Sequence, residues 1–453
     1  MSELPSGWTD VEIGEIADVV AGGTPKANDS SNFEAPGAGI AWLTPADLSG
    51  YNAKEISHGS RDLSQKGYES CSAKLMPKGS LLFSSRAPIG YVALAANEIS
   101  TNQGFKSFVF PEEIDPSYAF YYLKSIRQLA DSLGTGTTFK ELSGTTAKTL
   151  PFRMAPEKEQ TRIAAKLDEL LAQADTLKAR IDGIPALLKR FRQSVLAAAV
   201  SGRLTEEWRK LANGAQEFVE APFETLIHEM RNGLSAKPNE DQTGLPILRI
   251  SAVRPMSVDY SDHRFLVCSG AEAARYRLRE DDLLFTRYNG SLELVGVCGM
   301  IKKQPNPEIV YPDKLIRVRC NTSMVLPSYI ELFFAQDSIR QRVMELVKST
   351  SGQKGISGKD LKAFPVSFPQ LEEQTEIVRR VEQLFAFADQ LEARVAAAQE
   401  RVDKLTQSIL AKAFRGELVP QDPNDEPASV LLERIKAQRA AAPKAKRGRK
   451  AKA

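Results

Sequence analysis

The segment Thr286-Arg287-Tyr288-Asn289-Gly290-Ser291 sets a forked donor, an aromatic ring and an amide side by side, directly after the apolar run Leu283-Leu284-Phe285. Arg suits guanine edges and Asn or Gln suits adenine, while Lys and hydroxyls suit phosphates. A second polar loop, Ser349-Thr350-Ser351-Gly352-Gln353-Lys354-Gly355, adds an amide and a cation. The first half of the chain holds counterparts in Ser84-Ser85-Arg86, Thr101-Asn102-Gln103-Gly104 and Gly136-Thr137-Thr138-Phe139-Lys140. Gly22-Gly23-Thr24-Pro25-Lys26-Ala27-Asn28 and Gly233-Leu234-Ser235-Ala236-Lys237-Pro238-Asn239 share Gly, a hydroxyl residue, Lys and Asn in register. One such loop carries little weight, because polar Gly-rich loops are common on any surface. Matching loops in two halves carry more. The candidate nucleic-acid contacts are Thr24, Lys26, Arg86, Asn102, Gln103, Thr137 and Lys140, then Lys237, Arg249, Arg287, Tyr288, Asn289, Ser351, Gln353 and Lys354. Arg287 and Gln353 are the expected base readers of the second half, with Lys237 and Lys354 on phosphates.

Bond-making chemistry finds no such support. The chain has no DPPY- or NPPF-like tetrapeptide, so the amino-methyltransferase signature is missing. No GxGxxG follows a strand-like run. Gly358-Lys359 looks like a P-loop end, but Gln353 stands where the first glycine belongs and Asp360 replaces Ser or Thr. Pro312-Asp313 lacks the E-x-K that would complete a nuclease site. His58, His228 and His263 are isolated, and the four cysteines form no CxxC pair, so neither a metal site nor a disulfide framework is expected. The chain reads as noncatalytic.

The elements that hold these loops are duplicated. Glu159–Leu204 and Glu373–Leu418 align without a gap and agree at 18 of 46 positions, enough to mark a duplicated half-molecule rather than a solenoid. In the first copy Ile163, Leu167, Leu170, Ala174, Leu177, Ile181, Ile184, Leu188, Phe191 and Val195 step by four and three residues. The second copy repeats that apolar seam from Ile377 to Ile409, as coiled coils do. Each seam spans roughly 50 Å. Gly183 and Pro185 predict a kink or brief break in the first helix. The two helices are expected to pair with each other in antiparallel fashion, placing the globular units at opposite ends about an approximate two-fold axis. Packing of each helix on its own unit, or dimerisation, is the alternative.

The expected class is α+β: two mixed α/β globular units separated by two long helices, with internal pseudo-two-fold symmetry. The expected boundaries are 1–156 and 207–371 for the units, 157–206 and 372–418 for the helical spacers, and 419–453 for a basic, disordered tail. Ile247–Val253, Asp282–Thr286 and Leu292–Met300 read as strands, and Ser117–Leu129 and Ser328–Lys348 as helices.

Composition describes an ordinary water-soluble chain of 453 residues, with no apolar run long enough to span a bilayer and no signal-peptide pattern at Met1–Pro5. A cytoplasmic location is expected. The net charge of +3 hides an asymmetry: eight cations and no acid follow from Lys436 onward, and the rest of the chain carries 52 basic and 57 acidic residues. Nucleic acid would therefore be bound by local patches, with the tail free to add nonspecific phosphate affinity.

With the ordered plan of unit, helix, unit, helix goes a set of longer motifs. They are Leu283–Ser291, Thr350-Ser351-Gly352-Gln353-Lys354-Gly355-Ile356-Ser357-Gly358-Lys359 and Ser408-Ile409-Leu410-Ala411-Lys412-Ala413-Phe414-Arg415-Gly416-Glu417-Leu418. On these the whole chain resembles the specificity (S) subunit of type I restriction-modification systems, most closely the type IA branch in its second half. The first globular unit is similar only at its anchors. The resemblance implies a noncatalytic DNA-recognition subunit reading a split, asymmetric double-stranded site, one target recognition domain per half. It implies that the helices hold the spacing and dock two methyltransferase (M) subunits, joined by restriction/translocase (R) subunits for cleavage. S-adenosylmethionine, ATP and Mg would sit on those partners, with no cofactor in this chain. A free-standing two-headed DNA-binding regulator and a coiled-coil protein with two non-DNA heads are the other readings.

Overall fold

The computed structural model describes residues 4–441 apart from 87, 137–139, 212–217, 240, 304–305, 307 and 351–352, and leaves the side chains of residues 350 and 353 undescribed. Contacts divide the chain into two compact units, 1–181 with 398–453, and 182–397.

In the first unit the leading strand β1 (Thr9–Glu12) pairs with β7 (Pro151–Met154). Between them lie β2 (Asp18–Ala21), β3 (Glu55–Ile56), β4 (Leu81–Phe83), β5 (Val92–Ala95) and β6 (Lys106–Val109), ordered β2-β6-β4-β5-β3 in one sheet. Only the β3·β5 pair in that sheet is parallel. Successive side chains on a strand point to opposite faces. Leu81 and Phe83 therefore enter one apolar core while Leu82 enters another, so the central strand is apolar throughout. Helix α1 (Pro116–Ser125) starts on Asp115, whose carboxylate accepts from the Tyr118 N–H at 2.9 Å, and α2 (Arg127–Ser132) follows. The single helix expected over Ser117–Leu129 is thus two, parted at Ile126.

Helix α3 runs over Glu157–Val200 without interruption, with Pro185 inside it, so of the expected kink or brief break the break does not occur. Pro185 lacks an N–H, which leaves the Ile181 carbonyl without its helical donor.

The second unit repeats the plan. Strand β8 (Val219–Pro222) pairs with β16 (Pro365–Phe368). Strands β9 (Ile227–Asn232), β10 (Leu283–Thr286), β12 (Cys298–Met300) and β13 (Leu315–Cys320) form an antiparallel sheet ordered β9-β13-β10-β12. Leu283 and Phe285 face one core and Leu284 another, as in the first unit. A smaller sheet orders β11 (Tyr288–Asn289), β15 (Gln353–Gly355) and β14 (Lys348–Thr350) as β11-β15-β14.

Three expectations for this unit change. The run Ile247–Val253 is extended over Leu245–Leu248, interrupted by a 3-10 turn at Ile250–Ala252, and extended again at Val253–Arg254. Leu292–Met300 begins as a turn, because the Thr286 hydroxyl bonds the Leu294 carbonyl and accepts from the Val297 N–H at 3.0 Å. The helix expected over Ser328–Lys348 is α4 (Pro327–Ala335) and α5 (Asp337–Glu345). Gln336 between them is extended, and its side chain caps α5 by accepting from the Ile339 N–H at 2.9 Å.

The second long helix, α6 (Leu371–Ala413), pairs antiparallel with α3 inside each unit. In the first unit Lys178 of α3 meets Asp403 of α6 at 2.6 Å, and Ile163 and Leu167, nearer the start of α3, share a core with Ile409 and Ala413, nearer the end of α6. In the second, Arg192 meets Asp389 at 2.8 Å, and Val195 and Ala199, further along α3, share a core with Ile377 and Val381, nearer the start of α6. Partner numbers fall along α6 as they rise along α3.

The expected disordered tail is corrected up to Ala441. Helix α7 (Ala428–Ala441) buries Ala428, Leu431 and Ile435 in the first unit's core, an i, i+3, i+7 stripe that the downstream lysines obscure in the sequence. The Pro443–Lys450 run lies outside the described residues.

Candidate nucleic-acid interface

In each unit four loops are laced together by the same backbone bonds. In the first, the Gly23 N–H donates to the Thr101 carbonyl at 2.9 Å, Ser85 N–H to Gly104 O at 2.7 Å, and Leu142 N–H to Ser85 O at 2.9 Å. In the second, the Leu234 N–H donates to Tyr311 O at 2.9 Å, Arg287 N–H to Lys314 O at 2.8 Å, and Ile356 N–H to Arg287 O at 3.0 Å. Glycine is required at the crossing. A Cβ at Gly22 would lie 2.0 Å from the Asn102 carbonyl oxygen, and one at Gly233 would lie 2.2 Å from that of Tyr311. Strand-end hydroxyls hold the neighbouring turns. Ser84 donates to Pro88 O and accepts from Tyr91 N–H, both at 2.8 Å, as Thr286 does with Leu294 and Val297.

The second junction carries the more available cations. The Arg287 guanidinium lies 4.7 Å from the Tyr288 ring centroid and reaches the Asp313 carbonyl at a long 3.4 Å. Its Nε is buried without a partner. Tyr288 and Asn289 pair in β11 with Gly355 and Lys354 of β15, so Tyr288, Asn289 and Lys354 share one small sheet, with Arg287 directly before its edge strand. The Gln353 backbone is in the same sheet, opposite Thr350. The Asn289 carboxamide accepts from Ser291 N–H at 3.0 Å. Lys237 is exposed on the Gly233 loop. Arg249 sits on a separate turn, 3.7 Å from Asp262.

The first junction pairs its cations. Arg86 meets Glu141 at 2.8 Å, and Lys106 approaches the same carboxylate at 3.5 Å. The Arg86 guanidinium, with Lys106 beside it, holds the Glu141 carboxyl below its ordinary range. Lys140 meets Asp131 at 3.1 Å. Thr24 donates to the Gln103 carboxamide, Asn102 accepts from Gly104 N–H at 2.8 Å, and Lys26 is exposed. Thr137 and Ser351 lie outside the described residues. The position equivalent to Arg287 is Ser85, which is fully buried.

Sequence reasoning missed Lys314, which occupies in the second junction the place of Gly104 in the first. Its signal is weak, because Tyr311-Pro312-Asp313-Lys314 shares no residue with Thr101-Asn102-Gln103-Gly104. It also missed what the repeated Glu-Gln-Thr does. Gln160 accepts from the Asp115 N–H at 3.0 Å and donates to Ala155 O at 2.9 Å. Gln374 accepts from Leu326 N–H at 2.8 Å and donates to Met324 O and Pro369 O at 2.9 and 2.8 Å. Each buried glutamine fastens a long helix to the start of a domain helix, α1 or α4. Tyr118 and Tyr329 fasten the same two helices to Arg153 O and Ser367 O at 2.7 and 2.8 Å.

Residues 5–186 and 271–399 match the family model for the type I restriction modification DNA specificity domain. The specificity subunit of the type I restriction enzyme EcoKI from Escherichia coli K12 is 43% identical across 99% of both chains. The chain belongs to the type I restriction-modification specificity family. The StySPI specificity subunit from Salmonella potsdam is 32% identical, again across 99% of both chains. Among solved structures, the HsdS subunit of Thermoanaerobacter tengcongensis aligns at TM-score 0.57 and 18% identity over 92% of this chain and 98% of its own. A chain from a structure of type I R-M complex assembly and conformational transition aligns at TM-score 0.68 and 18% identity, over 92% and 100%. As a specificity subunit, this protein is a noncatalytic DNA sequence-recognition chain of its restriction-modification complex. Among the described residues no helix is long and apolar enough to cross a membrane, and no three His, Cys, Asp or Glu side chains are placed to hold a metal.

Proposed function

We propose that the chain reads a bipartite, asymmetric DNA site, one junction per half-site, from target recognition domains at 1–156 and 207–371. The spacers at 157–206 and 372–418 dock two methyltransferase subunits, and restriction/translocase subunits join for cleavage in the cytoplasm. S-adenosylmethionine, ATP and Mg act on those partners. The carrying observation is the four-loop junction, built twice on the same backbone bonds with different side chains. Equal scaffolds argue for equal tasks, and unlike side chains argue for unlike half-sites. Docking on the helices is supported by apolar side chains that the described contacts leave exposed, Leu177 and Leu405 in the first unit and Leu187 and Phe387 in the second. The candidate contacts Thr24, Lys26, Arg86, Asn102, Gln103, Thr137, Lys140, Lys237, Arg249, Arg287, Tyr288, Asn289, Ser351, Gln353 and Lys354, with Lys314 added, make up the proposed surface.

A map of methylated adenines in cells expressing the chain with its partner subunits tests this reading. One split motif with two unlike halves is expected. Tight site-specific binding by the chain alone, with no methylation in the presence of partners, would favour a free-standing regulator instead.

A further inference from the structure

In both units the chain leaves the central strand and returns to it through the same backbone bond. Gly90 N–H donates to Ser84 O at 2.9 Å in the first, and Gly296 N–H to Thr286 O at 2.7 Å in the second. Between those anchors the first unit has five residues, 85–89, and the second has nine, 287–295. The longer path carries β11 and then a tip at 290–293 whose residues are all exposed, Leu292 among them. The tip begins at the proposed DNA surface, because Ser291 N–H donates to the Asn289 carboxamide at 3.0 Å.

The return limb is clasped by Arg340 of α5. Its two terminal nitrogens donate to three backbone carbonyls, Gly296 at 2.6 Å, Val295 at 2.7 Å and Glu293 at 3.0 Å. Arg340 is only 9% exposed, and among the described residues no carboxylate pairs with it. Burial pushes its pKa down. A buried cation without a counter-ion is a costly way to fill a core, where an apolar side chain of like size often serves as well. What the guanidinium supplies instead is a planar fork of charge-assisted bonds on one stretch of backbone, the stretch that carries the tip. The first unit is built otherwise. There Arg127 of α2 lies over the Tyr91 ring at 5.0 Å, and among the described residues it makes no hydrogen bond to the shorter loop. Clasp and tip occur together.

We propose that the tip at 290–293 touches base edges, with Leu292 as an apolar contact, and that Arg340 is the positioning residue that holds the tip for that contact. This rests on the DNA-reading function proposed above. The tip suits bases better than the DNA backbone. It carries no cation for phosphate, and Glu293 would be repelled there, whereas a carboxylate accepts from the cytosine amino group and an apolar side chain packs on the thymine methyl. Fixing the tip before binding removes the ordering cost at the interface and keeps its side chains from adapting to a wrong sequence.

The test uses the full chain assembled with its methyltransferase partner, compared with Leu292→Ala, Arg340→Met and the double variant. Binding is measured on the cognate duplex, on each single-base-pair variant of both half-sites, and on random DNA. The readout is the ratio of cognate to variant affinity, which a smaller folded fraction does not move. Leu292→Ala should lower that ratio by about fivefold or more at one or two adjacent base pairs of a single half-site. Arg340→Met should lower it at the same base pairs, and the double variant should lose little more than the larger single loss. Ratios in the other half-site and affinity for random DNA should stay as in the parent. A lower melting temperature for Arg340→Met with unchanged ratios would make the residue structural only and overturn the positioning role. Unchanged ratios for Leu292→Ala, or a loss traced to release of the methyltransferase subunit, would overturn the base contact. Should Arg340→Met not fold, Arg340→Lys, which keeps the cation without the planar fork, is read in the same way. If the parent assembly itself prefers no sequence, the recognition reading fails, which is a different result from loss of discrimination at the tip alone.

Discussion

Replacing Arg287 with Ala should relax discrimination at one base pair of the half-site read by the second unit while leaving the protein folded. In the free chain the guanidinium has little to lose. Its one described hydrogen bond is a 3.4 Å contact to a backbone carbonyl, and its stacking on Tyr288 at 4.7 Å is worth about 0.5–1 kcal/mol at a partly exposed site. Among the described residues no carboxylate pairs with it, so its removal strands no buried charge. A bidentate contact to a base edge, by contrast, is worth about 1–3 kcal/mol of discrimination. That corresponds to roughly five- to 150-fold in affinity. The expected balance is a change in folding stability under about 1 kcal/mol beside a larger loss in cognate binding.

The assay is a titration of the assembled specificity–methyltransferase complex with the cognate duplex, each single-base-pair variant of that half-site, and random DNA. The Ala variant should bind the cognate site more weakly, bind random DNA nearly as the parent does, and lose its preference at a single position. Equal losses on cognate and random DNA would demote Arg287 to a backbone contact. Arg86 serves as an internal comparison. Its guanidinium is already engaged by Glu141, so it must give up an ion pair to reach DNA, and Arg86→Ala should cost less discrimination than Arg287→Ala.

Lys354→Ala should weaken every sequence alike and lower the salt slope by about one, read from the same titrations at several salt concentrations. Gln374→Leu should destabilise the second unit by roughly 2–4 kcal/mol in urea unfolding, because one N–H and two carbonyls lose their buried partner. A shift within 0.5 kcal/mol, expected only of surface changes, would show that the glutamine is not the fastening. Glu376 accepts from both Arg379 and Arg380, and the Arg379 guanidinium chiefly holds its carboxyl down, from 4.5 to about 2. A depressed folded-state value means stability that is present above the unfolded value and lost as pH falls through the folded one. Glu376→Gln should therefore lower the melting temperature modestly at pH 7 and leave it little changed near pH 2, flattening acid destabilisation between about pH 4.5 and 2.

The long helices were the most legible part of the fold, since a seam of apolar residues at steps of four and three needs no tertiary context to be seen. The central strands were nearly as clear, because both faces are covered and every residue of Leu81–Phe83 and Leu283–Phe285 is apolar. What escaped the sequence depends on single side chains acting at a distance. Gln336 divides one helix into two by capping the next, and Thr286 turns an apolar run into a loop with its hydroxyl. Neither residue type announces such a role. The stripe Ala428, Leu431 and Ile435 is short, sits among charges, and means little until it meets the core of a unit that begins more than four hundred residues earlier.

The candidate site was legible as loops and not as contacts, and the junction explains why. The bonds common to both junctions run from backbone to backbone, with glycine enforced where Gly22 and Gly233 cross a neighbouring chain segment. Such bonds place no demand on the side chains at Ser85 and Arg287, or at Gly104 and Lys314, and those pairs differ freely between the units. A scaffold of this kind lets the presented residues vary while the loops stay where they are. It follows that resemblance between the halves is concentrated in the lacing and the fastenings, Gly22 with Gly233, Ser84 with Thr286, Gln160 with Gln374. On the proposed reading, half-site preference would reside in positions where the halves disagree. Exchanging Ser85 for Arg should therefore leave the first junction's backbone bonds intact, although Ser85 is buried and the larger side chain must emerge past its neighbours. Whether a new base preference then appears in the methylation map measures how far the junction alone, rather than its surroundings, sets the sequence that is read.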